Sequence, residues 1–292
     1  MIRRTGRAEA ERRLGWVLTA PAVVVMLAVT AYPILYAAWL SLQRADLRFP
    51  GEGGFVGLDN YVSVLSSPLW WQDLANTVGL MVASVAIELV LGMALALVMH
   101  RALVARGAVR AAVLVPYGII TVVAALAWQF AFDSTTGFVN QWLGTDTAWF
   151  SGRWSALLVI LLAEVWKTTP FIALLLLGGL VLVPEDLLRA ARVDGATPWQ
   201  AFKRITLPLM KGPIMVAVLF RSLDAFRIFD SVFVMTRGSA GTETVSILGY
   251  NQLLNRLNLG IGSAVSVLIF LGVVLIAVVF VKGFGVSLER GR

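Results

Sequence analysis

The sequence predicts an all-α membrane protein with six transmembrane helices, and three observations carry that prediction. Of its 292 residues, 59% are hydrophobic and 14% are charged, whereas soluble globular chains are roughly 45–50% apolar and about 25% charged. Six apolar stretches recur, each close to or beyond the ~20 residues that a helix needs to cross a hydrocarbon core. Arginine and lysine gather in alternate loops between those stretches. Mean hydropathy is +0.82 and the pI is near 10.2. In a membrane chain, the basic excess reads as the loop bias that sets topology, and nucleic acid is not an expected partner. With no cysteine, disulfide scaffolds, thiol nucleophiles and thiolate metal sites are excluded. The single histidine, His100, argues against histidine-based metal or triad chemistry, and no metal site is expected.

Trp16 to Leu42 is an uncharged run of 27 residues that follows Arg3, Arg4, Arg7, Arg12 and Arg13. A signal-peptide core is about 7–15 residues, so this run is expected to be a membrane anchor and not a leader. Five further spans are expected near 78–99, 111–132, 156–183, 213–235 and 263–281. Pro116 and Pro170 interrupt two of them, which spanning helices tolerate when neighbours satisfy the freed backbone groups. The expected organisation is a cytoplasmic N-terminal segment over 1–15, a six-helix membrane domain over 16–282 and a cytoplasmic tail over 283–292. A cytoplasmic loop lies at 184–210 within the membrane domain.

Basic residues number five in 1–15, two in 43–77, three in 100–110, one in 133–155, five in 184–212, two in 236–262 and three in 282–292. The positive-inside rule therefore puts both termini in the cytoplasm. Trp70, Trp71, Trp142, Trp149 and Trp154 then fall on the outer side, where interfacial aromatics belong.

The loop between the fourth and fifth spans reads PEDLLRAARVDGATPWQAFKRITLPLMKG. Leu187, Leu188 and Ala191 form the apolar face of a short amphipathic helix. Asp194-Gly195 breaks that helix at a sharp turn, glycine supplying positive φ. Thr197 is placed to cap a second short helix with Pro198 at its first position, and Pro208 to disturb that helix's end. Two readings remain open here: a compact knob facing the cytoplasm, or an ordinary loop on the bilayer surface.

Ala190, Ala191, Gly195, Ile205, Leu207 and Pro208 match the spaced loop motif AA-x3-G-x9-I-x-LP. This string resembles the EAA loop of binding-protein-dependent ABC importer permeases, and Asp194-Gly195-Ala196 has the form common in the carbohydrate permeases. Tyr32-Pro33, the run from Gly57 to Tyr61, Asn76-Thr77 and Phe229-Asp230 with Thr236 are similar to that group as well. The sequence departs from the motif at Arg189, where glutamate is usual, and at Gly238-Ser239-Ala240, where a GGP-like turn is usual. The resemblance implies the type I ABC importer permease fold, with Arg189, Ala190, Ala191, Asp194, Gly195, Ala196 and Pro208 forming a coupling surface for a separate ATPase. It also implies a second, similar permease subunit, two copies of the ATPase and an extracytoplasmic solute-binding lipoprotein. ATP and Mg2+ would then sit on the ATPase, with no cofactor in this chain. Within the family the chain looks most like actinobacterial disaccharide permeases of the trehalose and maltose type, which implies a bacterial inner membrane.

Charged residues at bilayer depth cost at least ~2.5–3.5 kcal/mol each on insertion scales and usually face the bundle or a water-filled cavity. Glu88 falls within the second span, and Glu164 and Lys167 within the fourth. Arg221, Asp224, Arg227 and Asp230 recur every third residue in the fifth. On one continuous helix that set makes a slowly drifting stripe whose neighbours pair at i, i+3. Two readings are open: a structural ion-pair ladder, or the polar wall of a translocation path with Trp166 or Phe226 against a sugar ring. Glu88 reads as structural and His100 as a surface residue. The expected activity is that of a non-enzymatic permease subunit of an ATP-driven sugar importer, carrying half of the pathway. A stand-alone secondary carrier using Glu164 and Asp224 is the alternative, and it leaves the loop at 184–212 without a role.

Overall fold

The computed structural model describes residues 4–101 and 106–283; the side chains of 4–12, 101 and 106 lie outside the description. Arg3, the N-terminal arginine side chains and the tail beyond Gly283 therefore fall outside the described residues. Among the described residues the regular structure is helical apart from one two-stranded hairpin. Four helical stretches among the described residues are long and apolar enough to cross a membrane alone: Arg13–Leu40, Pro68–His100, Arg153–Val181 and Leu259–Gly283. Two bent pairs raise the number to six.

The bends correct the expectation of six simple spans. The third is two helices, α4 (Arg106–Gly118) and α5 (Thr121–Ala131), bent by 84°. Pro116 and Gly118 lie where α4 ends, and both disfavour continuation. The fifth is broken as well: Lys211–Ala225 ends at Phe226, and Asp230–Met235 opens a new helix after four residues. After a short helix, α6 (Phe138–Leu143), the fourth span is by contrast one helix, α7, over Arg153–Val181 with Pro170 inside it.

Two compact units divide the chain. The first comprises Met1–Ser66 and Gly249–Val267. Its first helix, α1 (Arg4–Leu40), runs through position 16 without a break and carries Pro21 and Pro33 internally. A hairpin of β1 (Gln43–Arg44) and β2 (Gly54–Phe55) follows, then α2 (Asp59–Leu65). Asn60 donates to the carbonyls of Ser41 and Gln43 at 2.8 and 2.9 Å, tying α2 to the end of α1. A side chain at Gly260 would press on Asn60 and the Ala45 amide, so glycine is required there.

The second unit comprises Ser67–Leu248 and Leu268–Arg292. Here α3 (Pro68–Arg101) packs along α7 (Arg153–Val181), and a Cβ at Gly92 would come within 2.7 Å of Ile172. Two buried apolar clusters form. One gathers Leu80, Ile160, Val232 and Met235; the other gathers Met93, Ile172, Leu176 and Met210. On α3, on α7 and in the fifth span, the polar positions lie in sequence between the members of those two clusters. That placement isolates a charged layer between two hydrophobic ones.

After α7, the loop forms the compact two-helix knob. The first helix, α8 (Glu185–Val193), stops at Asp194, and Gly195 turns the chain at φ +79°. Thr197 and Gln200 form a reciprocal capping box at the start of α9 (Pro198–Ala201), with Pro198 at its first position. The helix widens to a π turn over Phe202–Thr206 before α10 (Leu207–Leu209). Pro208 lacks the N–H that would continue the regular ladder. The stretch Pro198–Leu209 is bent by 67° from Lys211–Met235.

Candidate functional site

The charged layer is built around one guanidinium. Arg221, near the end of α11 (Lys211–Ala225), is 2% exposed, and Glu88 on α3 is fully buried. Arg221 Nε and Nη2 donate to the two carboxylate oxygens of Glu88 at 2.7 and 3.1 Å. Nη2 also reaches Glu164 on α7 at 3.1 Å, and Nη1 reaches Asp224 at 2.7 Å. Four of the five guanidinium N–H donors are thereby used. The Thr168 hydroxyl lies 2.7 Å from Glu88 Oε1 and 2.6 Å from the Glu164 carbonyl. Ser231, on α12 (Asp230–Met235), donates to the other oxygen of Glu164. Glu164 thus touches the fifth span on both sides of its break.

Above this network lies a cavity of about 460 Å³, within the ~300–1,000 Å³ typical of small-molecule sites. Glu164, Lys167, Arg221, Asp224, Arg227 and Asp230 line it, together with Tyr117, Thr121 and Phe229. The Lys167 ammonium stands 5.6 Å from the centre of the Tyr117 ring, and that ring stacks on Phe171. Among the described residues Lys167, Arg227 and Asp230 form no ion pair. Glu164 and Arg221 form a satisfied floor. Lys167, Arg227, Asp230 and the exposed Asp224 carry the polar atoms that face the space.

The expected stripe in the fifth span is therefore corrected. Arg221 and Asp224 pair at i, i+3, but α11 ends at Ala225 and Arg227 sits in the break, donating to the Leu223 carbonyl. Asp230 opens the next helix. The residues converge on one cavity because the helix is interrupted, not because it continues. Trp166 is not among the cavity's lining residues and lies beside Trp128, ring centroids 6.1 Å apart. Phe226 is buried against Gly272, where a Cβ would come within 2.7 Å of its ring, so no sugar can stack on it.

The knob carries the other sequence-marked residues. Ala190, Ala191, Asp194, Gly195 and Ala196 surround the turn, and the Ala196 amide donates to the Ala191 carbonyl. Arg189 is exposed and pairs within its own helix, with Glu185 at 2.8 Å and more loosely with Asp186 at 3.9 Å. Pro208 lies in α10, past the π turn. Val193 and Trp199 flank the turn as exposed apolar side chains.

Residues 88–284 match the family model described as binding-protein-dependent transport system inner membrane component. The chain belongs to that family. This inner membrane component is similar to the trehalose transport system permease protein SugA of Mycobacterium tuberculosis, 54% identical over 289 residues, covering 99% of this chain and 94% of the relative. It is also similar to the trehalose/maltose transport system permease protein MalF of Thermococcus litoralis, 39% identical, covering 93% and 94%. Among solved structures, a chain from the structure of a bacterial alginate ABC transporter in complex with an alginate pentasaccharide-bound periplasmic protein superposes with a TM-score of 0.83. Identity there is 20%, over 98% of this chain and 99% of that one, a likeness of fold. The permease has the type I ABC importer permease fold and is a transport component of a binding-protein-dependent system, which excludes a carrier working alone.

Four polar residues of the permease escaped the sequence reading: Tyr117, Thr121, Thr168 and Ser231. Each is a common residue type with no motif around it: the bend after Gly118 brings Tyr117 and Thr121 to the cavity, Thr168 lines it from α7, and the break after Ala225 puts Ser231 against Glu164. Asn76-Thr77 proves structural. Asn76 donates to the Gly241 and Glu243 carbonyls at 2.9 and 2.7 Å and accepts from Arg153, while Thr77 accepts from the Val245 amide. These bonds hold the loop containing Gly238-Ser239-Ala240, in which Ala240 takes a left-handed backbone at φ +54°.

Proposed function

We propose that this chain is one of two permease subunits of an ATP-driven importer for a neutral disaccharide of the trehalose or maltose type. It contributes half of the translocation pathway. The observation that carries the reading is the cavity at membrane depth, walled by Lys167, Asp224, Arg227 and Asp230 over a buried ionic floor. Hydroxyl-rich solutes need dense, charge-assisted hydrogen bonding, which ammonium, guanidinium and carboxylate groups supply. The charged residues that line the cavity, Glu164, Asp224 and Asp230 against Lys167, Arg221 and Arg227, carry no net formal charge. That balance suits an uncharged sugar better than an acidic one. Near full-length similarity to trehalose and trehalose/maltose permeases supports the same substrate class.

In this reading a second, similar permease completes the cavity and two copies of an ABC ATPase bind and hydrolyse ATP with Mg2+. A solute-binding lipoprotein delivers the sugar from outside. Both termini are cytoplasmic in the bacterial inner membrane, as the basic loop bias supports. The knob at 184–210 is the coupling surface. Gly195 and Ala196 present a small-residue tip for a groove of the ATPase, and nucleotide-driven closure moves the knob as a rigid body, reorienting the broken fifth span to which it connects. Affinity purification of the tagged chain from native membranes, with mass spectrometry of what accompanies it, tests the assembly. An ATP-binding subunit and a second six-span protein are expected, and recovery of the chain alone at full yield in mild detergent would overturn the reading.

A further inference from the structure

We infer that α2 is an interfacial helix whose exposed apolar stripe lies in the membrane–water boundary at the C-terminal end of α1, and that its occupant is the phospholipid surface. Leu58, Val62 and Leu65 recur at i, i+4 and i+7, within about 60° of helix circumference. Leu58 and Val62 are 66% and 63% exposed. Asp59, Ser63 and Ser66 are also exposed and follow on the adjacent flank, while Asn60 and Val64 turn inward and are buried. The helix therefore has three separate faces: one packed, one polar and one apolar and exposed. A short amphipathic helix with that division lies in an interface plane, its apolar side against the acyl boundary.

The depth of α2 argues for lipid over water. The apolar part of α1 spans Arg13–Leu40, 28 residues, or about 42 Å of helix. A bilayer measures ~30 Å across its hydrocarbon and ~40–45 Å with its headgroups, so the end of α1 emerges at headgroup level. Helix α2 is stapled to that end. Besides the two Asn60 bonds to the Ser41 and Gln43 carbonyls, Tyr61 Oη lies 2.6 Å from Ser41 Oγ. Exposed aromatics stand at the same end of α1: Phe55 lies against Trp39 with ring centroids 6.3 Å apart. Tyr36 and Trp39 are the aromatic types that settle at such boundaries.

The chain contains no cysteine, which allows a direct test in the assembled complex with cysteine-free partner subunits. Val62→Cys, Leu65→Cys and Ser63→Cys are each labelled with a nitroxide in vesicles of phosphatidylethanolamine and phosphatidylglycerol. Collision with oxygen, which partitions into lipid, is compared with collision with a water-soluble nickel chelate. Labels at 62 and 65 should collide several-fold more with oxygen than with nickel, and the label at 63 should show the reverse. Equal nickel access at 62 and 63 would overturn the inference by placing the stripe in water. Protection of 62 and 65 from both reagents, whether constant or appearing only with a solute-binding protein, would overturn it by making the occupant a protein. Two independent stripe positions keep the test decisive if one variant fails to assemble.

Discussion

Glu88 on α3 and Arg221 on α11 meet in a two-point ion pair, at 2.7 and 3.1 Å, across 133 positions of sequence. Both are sealed from solvent. Removing a charge pair of this kind from water is expensive, and the pair persists because Thr168, Glu164 and Asp224 complete its hydrogen bonding. The result is a fixed floor beside the other polar groups of the cavity.

Breaking the floor should be costly and asymmetric. Arg221→Met leaves Glu88 and Glu164 buried without a cation, a change worth about 3–5 kcal/mol of stability. Glu88→Gln keeps an acceptor for Arg221 and should cost less. Thermal unfolding of the purified complex in detergent ranks the two, and equal midpoints would contradict a buried ionic floor.

The cavity wall should behave in the opposite way. Lys167→Met and Asp224→Asn should lower sugar uptake strongly while leaving assembly and thermal midpoint nearly unchanged. Asp224 is largely exposed, and exposed pairs contribute about 0–1 kcal/mol. Size-exclusion profiles set beside uptake rates decide the matter. Collapse of the assembly would assign these groups to structure and not to the path.

Glycine contacts between α7 and α11 give a packing prediction. A methyl at Gly179 would fall 2.6 Å from Cγ of the Pro213 ring, whereas nothing lies within 4 Å of one at Gly178. Gly179→Ala should therefore cost about 1–3 kcal/mol, as overpacking does. Gly178→Ala should be tolerated. Similar thermal midpoints for the two variants would contradict this packing.

At the knob, Gly195 has open space around it and a φ of +79°. A substitution there acts on the turn through its backbone. The left-handed conformation costs an ordinary residue about 1–2 kcal/mol, and a β-branched one is a worse fit. Gly195→Val should lower coupled transport by about tenfold or more with membrane insertion intact, while Gly195→Asn, which tolerates that backbone, should lower it less. Uptake and ATP hydrolysis measured together separate uncoupling from loss of the complex. Equal uptake by both variants would show that the turn does not set coupling.

Much of this architecture was legible in the sequence, because hydrophobic length alone locates spans and the Gly195 turn announces itself through Asp194, Thr197 and Pro198. The Thr197 cap with Pro198 behind it follows directly from residue types in sequence, and Gln200 completes it as a capping box. What the sequence concealed are the two breaks. A charge every third residue from Arg221 to Asp230 reads as one helical stripe, yet tertiary bonds from Glu164 to Arg221 and Ser231 secure a chain that leaves helical geometry at Phe226. Likewise, nothing local marks Tyr117 as a cavity residue; its place follows from the bend after Gly118. Such long-range pairing has no periodic signature.

The most direct test of the central claim is uptake of radiolabelled trehalose and maltose by proteoliposomes holding this chain, a second permease and the ATPase, with binding protein outside and ATP inside. ATP-dependent accumulation of one or both sugars, abolished by Lys167→Met in an otherwise intact complex, is the predicted result. An intact complex that hydrolyses ATP in response to its binding protein yet accumulates neither sugar, or accumulates it equally with Lys167→Met, would contradict the account.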